Sequence, residues 1–275
     1  MPGMRVPFVK MHGLGNDFIV LDARAGGVPA MDARLAAALA DRKTGIGCDQ
    51  LILIEPSELA TFRMRIFNAD GSEVEACGNA TRAVGLLHGA EATIETLGGL
   101  LKAAPADGGI AVDMGEPRFD WQAIPLAYAM DTLTMPVGWE DLDAPAAVNV
   151  GNPHVVFFVP DCGAVEVERL GPLIEHDPLF PARINVNIAT VASRSHIRLR
   201  VWERGAGETR ACGTGACATA IAAMRRGLVD RQVTVSLAGG DLAIGWGADN
   251  RITMTGPAVE SFRGTFDAAD YGVAG

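Results

Sequence analysis

The sequence predicts an α+β protein of two pseudo-symmetric domains, each a mostly antiparallel sheet rolled around a central helix. The first observation behind this is an internal repeat. Residues 62–79 (FRMRIFNADGSEVEACGN) match residues 197–214 (IRLRVWERGAGETRACGT) at a constant offset of 135, with six of the eighteen positions identical. The identities are Arg63/Arg198, Arg65/Arg200, Glu73/Glu208, Ala76/Ala211, Cys77/Cys212 and Gly78/Gly213. A self-match of this length marks a duplicated structural unit. The second observation is a series of short apolar or alternating runs, several of them followed by Gly or Pro turns. LILIE, FRMRIF, ATIET, GIAVDM, VVFFV, INVNIATV, IRLRVW, QVTVSL, LAIGW and RITMTG all read as strands. The third is a pair of segments, Gly78–Leu87 and Gly213–Met224, that are small or apolar nearly all round. A helix of that kind is buried on every side, and with so many strands nearby the sheet wraps it.

In chain order, Gly15-Asn16-Asp17-Phe18-Ile19-Val20 reads as a turn leading into a strand. It lines up with Gly151-Asn152-Pro153-His154-Val155-Val156 at an offset of 136. Met31–Arg42 (MDARLAAALADR) is an amphipathic helix stopped by Thr44-Gly45. Gln50 precedes LILIE and falls opposite Asn185 in INVNIATV. Each half therefore runs turn, strand, helix, amide-bearing strand, alternating strand, polar loop, Cys-Gly helix, further strands. The sequence around Glu116-Pro117 suits a boundary, so the first domain is expected over 1–116 and the second from 117. Arg63, Arg65, Arg198 and Arg200 alternate with apolar residues and read as a solvated strand face.

The 275 residues suffice for two ordinary domains without disulfide staples. The net charge of −10 argues against nucleic acid or an anionic membrane as the main partner. No apolar run is long enough for a transmembrane helix, and MPGMRVPFVKMHG lacks the apolar core of a secretory signal. A cytoplasmic, reducing location is the expectation, which makes the five cysteines (48, 77, 162, 212 and 217) free thiols.

Two of those cysteines carry the functional reading. A thiol at a helix N-terminus feels the positive end of the helix dipole, which is expected to lower its pKa. The first-turn amides of Gly78-Asn79 and Gly213-Thr214 form anion sites suited to a carboxylate. One carboxylate beside two thiols is what proton exchange at the α-carbon of an amino acid needs: one thiolate removes the proton, and the other thiol returns one to the opposite face. A lone cysteine in an Ala-rich segment is usually a core residue, which covers Cys162 and Cys217; Cys48 also reads as packing. Repetition of one slot beside polar loops takes Cys77 and Cys212 out of that class. A dinucleotide fingerprint at Gly213-Thr214-Gly215-Ala216-Cys217-Ala218 fails because a polar loop separates it from the preceding strand. A Cys/His hydrolase using His12 or His154 leaves the second cysteine unexplained. Zinc is disfavoured by the absence of any paired ligand spacing.

Six motifs in order then resemble one family. They are Met11-His12-Gly13-Leu14-Gly15-Asn16-Asp17-Phe18, Gly47-Cys48-Asp49-Gln50, Asn68-Ala69-Asp70-Gly71-Ser72-Glu73, Ala76-Cys77-Gly78-Asn79, Gly151-Asn152-Pro153-His154 and Glu203 through Gly215 (ERGAGETRACGTG). Together they are similar to diaminopimelate epimerase, which works by two cysteines without pyridoxal phosphate or metal. The resemblance implies inversion of LL-2,6-diaminopimelate to the meso form, on the route to lysine and peptidoglycan. It implies Cys77 and Cys212 as the bases, and Asn16, Gln50, Asn68, Gly78, Asn79, Asn152, Asn185, Glu203, Arg204, Gly213 and Thr214 as substrate-binding residues. His154 and Glu203 would modulate the thiols, and Arg204 would pair with the distal carboxylate. No cofactor is expected, and a homodimer is the expected assembly. The resemblance also implies that the chain returns near its end to the first domain, giving 1–116 plus 262–275 and 117–261, with the site in the cleft between them. A proline-type racemase of the same fold is the alternative enzyme, and a binding module without catalysis the alternative of another class. Two departures from the family stand out: Ala80 follows Cys-Gly-Asn where Gly is usual, and Ile188 follows Asn187 where an aromatic is common.

Overall fold

A computed structural model describes residues 5–75 and 77–271. The chain forms two compact units, Met1–Val112 with Gly256–Gly275, and Asp113–Thr255. These crossovers differ by a few residues from the boundaries drawn on sequence. The strand Val259–Asp267 lies wholly in the first unit, where it pairs antiparallel with Arg5–Gly13, so the return begins ahead of residue 262.

Within the first unit Asn16–Asp22 runs antiparallel to Arg5–Gly13 and parallel to Gln50–Glu55. Gln50–Glu55 is antiparallel to Phe62–Asn68, which is antiparallel to Glu73–Val74 and parallel to Ala92–Thr96. The second unit repeats this pattern. Pro153–Phe158 is antiparallel to Ala146–Asn149 and parallel to Asn185–Ser193. Asn185–Ser193 is antiparallel to His196–Glu203, which is antiparallel to Gly207–Thr209 and parallel to Gln232–Leu237. Registers repeat as well: Phe18 opposes Gln50 as His154 opposes Asn185, and Ile66 opposes Val74 as Val201 opposes Thr209. The duplication seen in eighteen residues thus extends to the strand pairing of both units.

Each parallel pairing requires a crossover, and helices supply it. In the first unit these are α1 (Ala33–Ala40) and α2 (Gly78–His88); in the second, α3 (Val167–Glu175) and α4 (Gly213–Arg225). α1 is shorter than the sequence pattern suggested. Asp32 caps its start by accepting from Leu35 N–H at 2.8 Å, and Asp41 turns extended and caps the Lys43 and Thr44 amides instead of continuing the helix. Its apolar face, Leu35, Ala36, Leu39 and Ala40, packs with Ile19, Leu51 and Phe67. α3 plays the corresponding outer role, placing Val167, Leu170 and Ile174 against Phe157, Val186 and Ile188. α2 and α4 are the inner helices. Gly215 through Ala223 of α4 are all buried, as are Asn79 through Gly85 of α2. Among the described residues no helix is long and apolar enough to cross a membrane.

Two of the strand arginines need a correction. Arg65 and Arg200 are not merely solvated: each forms a two-pronged ion pair with the glutamate of its own hairpin. Arg65 reaches Glu73 at 2.8 and 2.9 Å, and Arg200 reaches Glu208 at 2.8 and 3.0 Å. Both partners are identities of the repeat. The paired fork fits a carboxylate in one plane, so it fixes the hairpin that hands the chain to each cysteine.

Candidate active site

Cys77 and Cys212 are the N-cap residues of α2 and α4, both with extended backbone. The amides of the first helical turn have no intrahelical acceptor, so Gly78-Asn79 and Gly213-Thr214 offer N–H donors beside each sulfur. The two caps are not equivalent. Cys212 Sγ accepts from Gly215 N–H at 3.3 Å and lies 3.5 Å from Thr214 Oγ1, whereas Cys77 makes no side-chain cap bond. Cys212 is 4% exposed, while Cys77 is only partly buried.

In the first unit, α2 and the turn before Asn16 come together through side-chain amides. Asn79 Nδ2 donates to Asn16 Oδ1 at 3.1 Å, and Cys77 Sγ sits 3.9 Å from the same oxygen. Asn16 Nδ2 donates to Asp49 at 3.1 Å. At the other end Arg82, fully buried in α2, donates to Asn79 Oδ1 at 3.0 Å and to the Pro257 carbonyl. The result is a polar chain, Arg82–Asn79–Asn16–Asp49, in which each partner fixes the orientation of the next amide. Gln50 and Asn68 form a second pair, directly opposite in register and bonded Nε2 to Oδ1 at 3.1 Å. Gln50 Oε1 is buried without a partner among the described residues.

The Asp49 end is anchored by Asp17, whose carboxylate binds Lys10, Arg42 and the Asp49 amide. Burial alone would raise the pKa of Asp17, but the hydrogen bonds from Arg42 and Lys10 outweigh it and hold the carboxyl well below its ordinary value. A depressed carboxyl contributes stability that is complete above the unfolded-chain value near 3.8 and is lost as pH falls through the folded value. Asp17→Asn should therefore cost about 1–2 kcal/mol at neutral pH, discounted for partial exposure, and should flatten the acid limb of stability below about pH 4. Urea titrations of both proteins at pH 7 and pH 3 check this. An unchanged difference at the two pH values would contradict it.

In the second unit, burial pushes the Cys212 thiol well above its ordinary range, and the nearby charge of Glu203 adds to the effect. The Thr214 and Gly215 donors pull the other way without compensating. This corrects the expectation that a helix N-terminus lowers the pKa. At Cys212 the amide donors are present, but desolvation and a neighbouring carboxylate dominate. As described, Cys212 is held as a thiol, the form that gives up a proton. Glu203 itself accepts from Thr209 Oγ1.

The other expected ligands divide into two kinds. Asn152 is half-buried and bonded through Oδ1 to His154 Nε2 at 2.8 Å. Arg204 is exposed, and its guanidinium makes only the bond to the Ala182 carbonyl at 2.9 Å among the described residues, leaving most of its fork available. Asn185, by contrast, is 3% exposed with its amide largely used. Its Oδ1 accepts from Arg204 N–H and its Nδ2 donates to the Pro153 carbonyl, both at 2.9 Å. In this arrangement it sets the turn that presents Arg204.

Sequence reading missed three supports. Glu175, 2% exposed at the end of α3, accepts from Trp202 Nε1 at 2.7 Å and Gly205 N–H at 3.0 Å, clamping the Glu203-Arg204 loop. Trp202 can reach it only because Gly171 of α3 lacks a Cβ, which would fall 2.5 Å from the indole ring. Arg82 was missed although a lone charge in an otherwise buried helix was visible. Asn187 was seen only as part of a strand. Cys48, Cys162 and Cys217 are buried core residues, and burial raises Cys48 to about 11.

The two departures have local explanations. A Cβ at Gly215 would crowd Asn187 Oδ1, Val201 and the Cys212 sulfur, so the second unit has no room for the methyl. Ala80 holds the matching slot and is fully buried, so its methyl packs inward. Ile188 lies in the outer core with Phe157 and Leu170. Among the described residues no group of three or more His, Cys, Asp or Glu is placed to hold a metal.

A family model described as diaminopimelate epimerase matches residues 8–120 and 146–260. A diaminopimelate epimerase from Erythrobacter litoralis is 71% identical over 98% of this chain and 100% of its own length. One from Rhizorhabdus wittichii is 66% identical, covering 98% of each. Among solved structures, a Bacillus anthracis phenazine biosynthesis protein of the PhzF family superposes with a TM-score of 0.67. It is 18% identical over 95% of this chain and 99% of that one, so it shows a shared fold.

Proposed function

The chain belongs to the diaminopimelate epimerase family, and on that premise we propose that it inverts LL-2,6-diaminopimelate to the meso form using Cys77 and Cys212 as paired acid and base. The observation that supports this most directly is the placement of both sulfurs as N-caps of repeat-related, buried helices. In one direction the Cys77 thiolate takes the α-proton, and the electron pair of the broken C–H bond spreads into the adjacent carboxylate. The first-turn amides of Gly78-Asn79 and Gly213-Thr214 are then suited to hold the carboxylate as its charge grows. The Cys212 thiol delivers its own proton to the opposite face, leaving a thiolate there and a thiol at Cys77. Solvent exchange resets both sulfurs, and the reverse reaction exchanges their roles. Asn16, Asn79 and Asn152, with Gln50 and Asn68, supply polar partners for the ammonium and carboxylate groups, which would be costly to bury unpaired. Arg204 offers the remaining guanidinium fork to the distal carboxylate.

The test is turnover of each epimer in deuterium oxide. Early in the reaction the product should carry deuterium at the inverted carbon, while recovered substrate keeps its hydrogen. That asymmetry distinguishes two bases from one. No incorporation, or equal labelling of substrate and product from the outset, would overturn the scheme.

A further inference from the structure

Within that reading of the site, one buried side chain outside the expected set controls how another presents itself. Asn187 is fully buried, and its Nδ2 donates to the Val155 carbonyl at 2.9 Å, lies 3.4 Å from the Asn185 carbonyl and lies 3.1 Å from His154 Nδ1. A carbonyl can only accept, so Val155 fixes which end of the amide is NH2. The second N–H has the Asn185 carbonyl at 3.4 Å and, nearer, His154 Nδ1 at 3.1 Å, which must be unprotonated to accept it. Burial outweighs an opposing, raising effect of the Asn187 contact and, with a further push from the Arg204 charge, takes the imidazole pKa down to about 3, so the ring is neutral at working pH. A neutral ring with a bare Nδ1 carries its proton on Nε2, which lies 2.8 Å from Asn152 Oδ1. Asn152 is thereby held with its oxygen toward the ring, which leaves its NH2 as the end that can donate elsewhere.

We propose that Asn187 is a positioning residue that locks the His154 tautomer and so commits Asn152 to present hydrogen-bond donors, the polarity that an anionic group such as a substrate carboxylate requires. The other unit provides an internal control. The repeat-equivalents of Asn187 and His154 are Ile52 and Phe18, both fully buried. Packing at these two slots is therefore met by apolar residues where no such relay exists. In the second unit the amide is retained although Asn187 Oδ1 is buried with no partner among the described residues. An orphaned acceptor costs roughly 1–3 kcal/mol, a penalty that Leu or Ile would avoid. What the amide supplies in return, beyond its bonds to the Val155 and Asn185 carbonyls, is the donor toward His154.

The experiment is nitrogen-15 NMR of histidine-labelled protein without substrate, His154 being assigned with a His154→Gln variant, joined to steady-state kinetics. The expected wild-type result at pH 7 is a neutral ring with bare Nδ1 and protonated Nε2. Asn187→Leu, near in volume, should give mixed tautomers and a KM raised about tenfold, the order of one lost bond to a charged group, with a much smaller change in kcat. Asn152→Asp should raise KM at least as much while leaving the His154 tautomer unchanged. A protonated Nδ1 in the wild type overturns the proposal, as does an Asn187→Leu variant with wild-type tautomer and KM. Should Asn187→Leu not fold, the wild-type tautomer and the Asn152→Asp variant still decide. Failure of the epimerase reading itself would appear separately, as a wild-type protein that does not label diaminopimelate.

Discussion

Cys77→Ala and Cys212→Ala should each lower kcat by about 10³-fold or more, because each removes a group that must transfer a proton in every turnover. KM should change little, since the helix-end amides remain in both variants. Stability should separate the pair. Cys77 is only partly buried, so its replacement should lower the melting temperature less than that of Cys212. Cys212 is buried, and its sulfur is the acceptor for Gly215 N–H. Losing that acceptor and the sulfur volume should cost about 1 kcal/mol. Calorimetry and epimerisation assays on both variants would check this. Two equally inactive proteins with unequal stabilities are expected; a single variant keeping more than about a tenth of wild-type kcat would end the two-base scheme.

The unequal caps also mark how far the sequence could be read. The duplicated strands, both inner helices and the cysteine slots were legible because they rest on periodicity and local helix-end chemistry, which are properties of neighbouring residues. Direct evidence of what surrounds each thiol was not, because burial is set by residues far apart in the chain. The lowered pKa expected for Cys212 failed for that reason: dipole and amides can be read from Cys-Gly-Thr, whereas desolvation and the Glu203 charge arise from folding. The supporting residues follow the same division. Arg82 carried a visible signal as the lone charge of α2. Glu175 carried none, since its partners Trp202 and Gly205 come from another hairpin. Arg65 and Arg200 were misread as merely solvated because alternation reports which face a side chain takes, and not whether a glutamate stands opposite it across the hairpin.

The one-residue difference between the repeats, Ala80 against Gly215, gives a second large effect with a built-in comparison. A Cβ placed on Gly215 would sit 2.8 Å from Asn187 Oδ1, 3.1 Å from Val201 Cγ2 and 3.2 Å from Cys212 Sγ. Val201 belongs to a paired strand and Asn187 is held by its amide bonds, so the sulfur and the first turn of α4 must yield. Gly215→Ala gains up to about 1 kcal/mol of helix propensity but incurs an overpacking cost of about 1–3 kcal/mol. Its stability should therefore fall only modestly. Catalysis should fall much further, by about 10²-fold in kcat, because a displacement of the order of 1 Å at a reacting group costs that much. The reciprocal Ala80→Gly should behave in the opposite way. It removes a buried methyl and a good helix former, costing about 1–2 kcal/mol, yet it moves nothing against Cys77, so kcat should stay within about threefold of wild type, a change worth well under 1.4 kcal/mol in the barrier. The order of the two effects, activity loss at Gly215 and stability loss at Ala80, is the decisive reading. Equal kinetic effects would mean that the slot acts through the helix end in general and not through the Asn187–Cys212 crowding peculiar to the second unit.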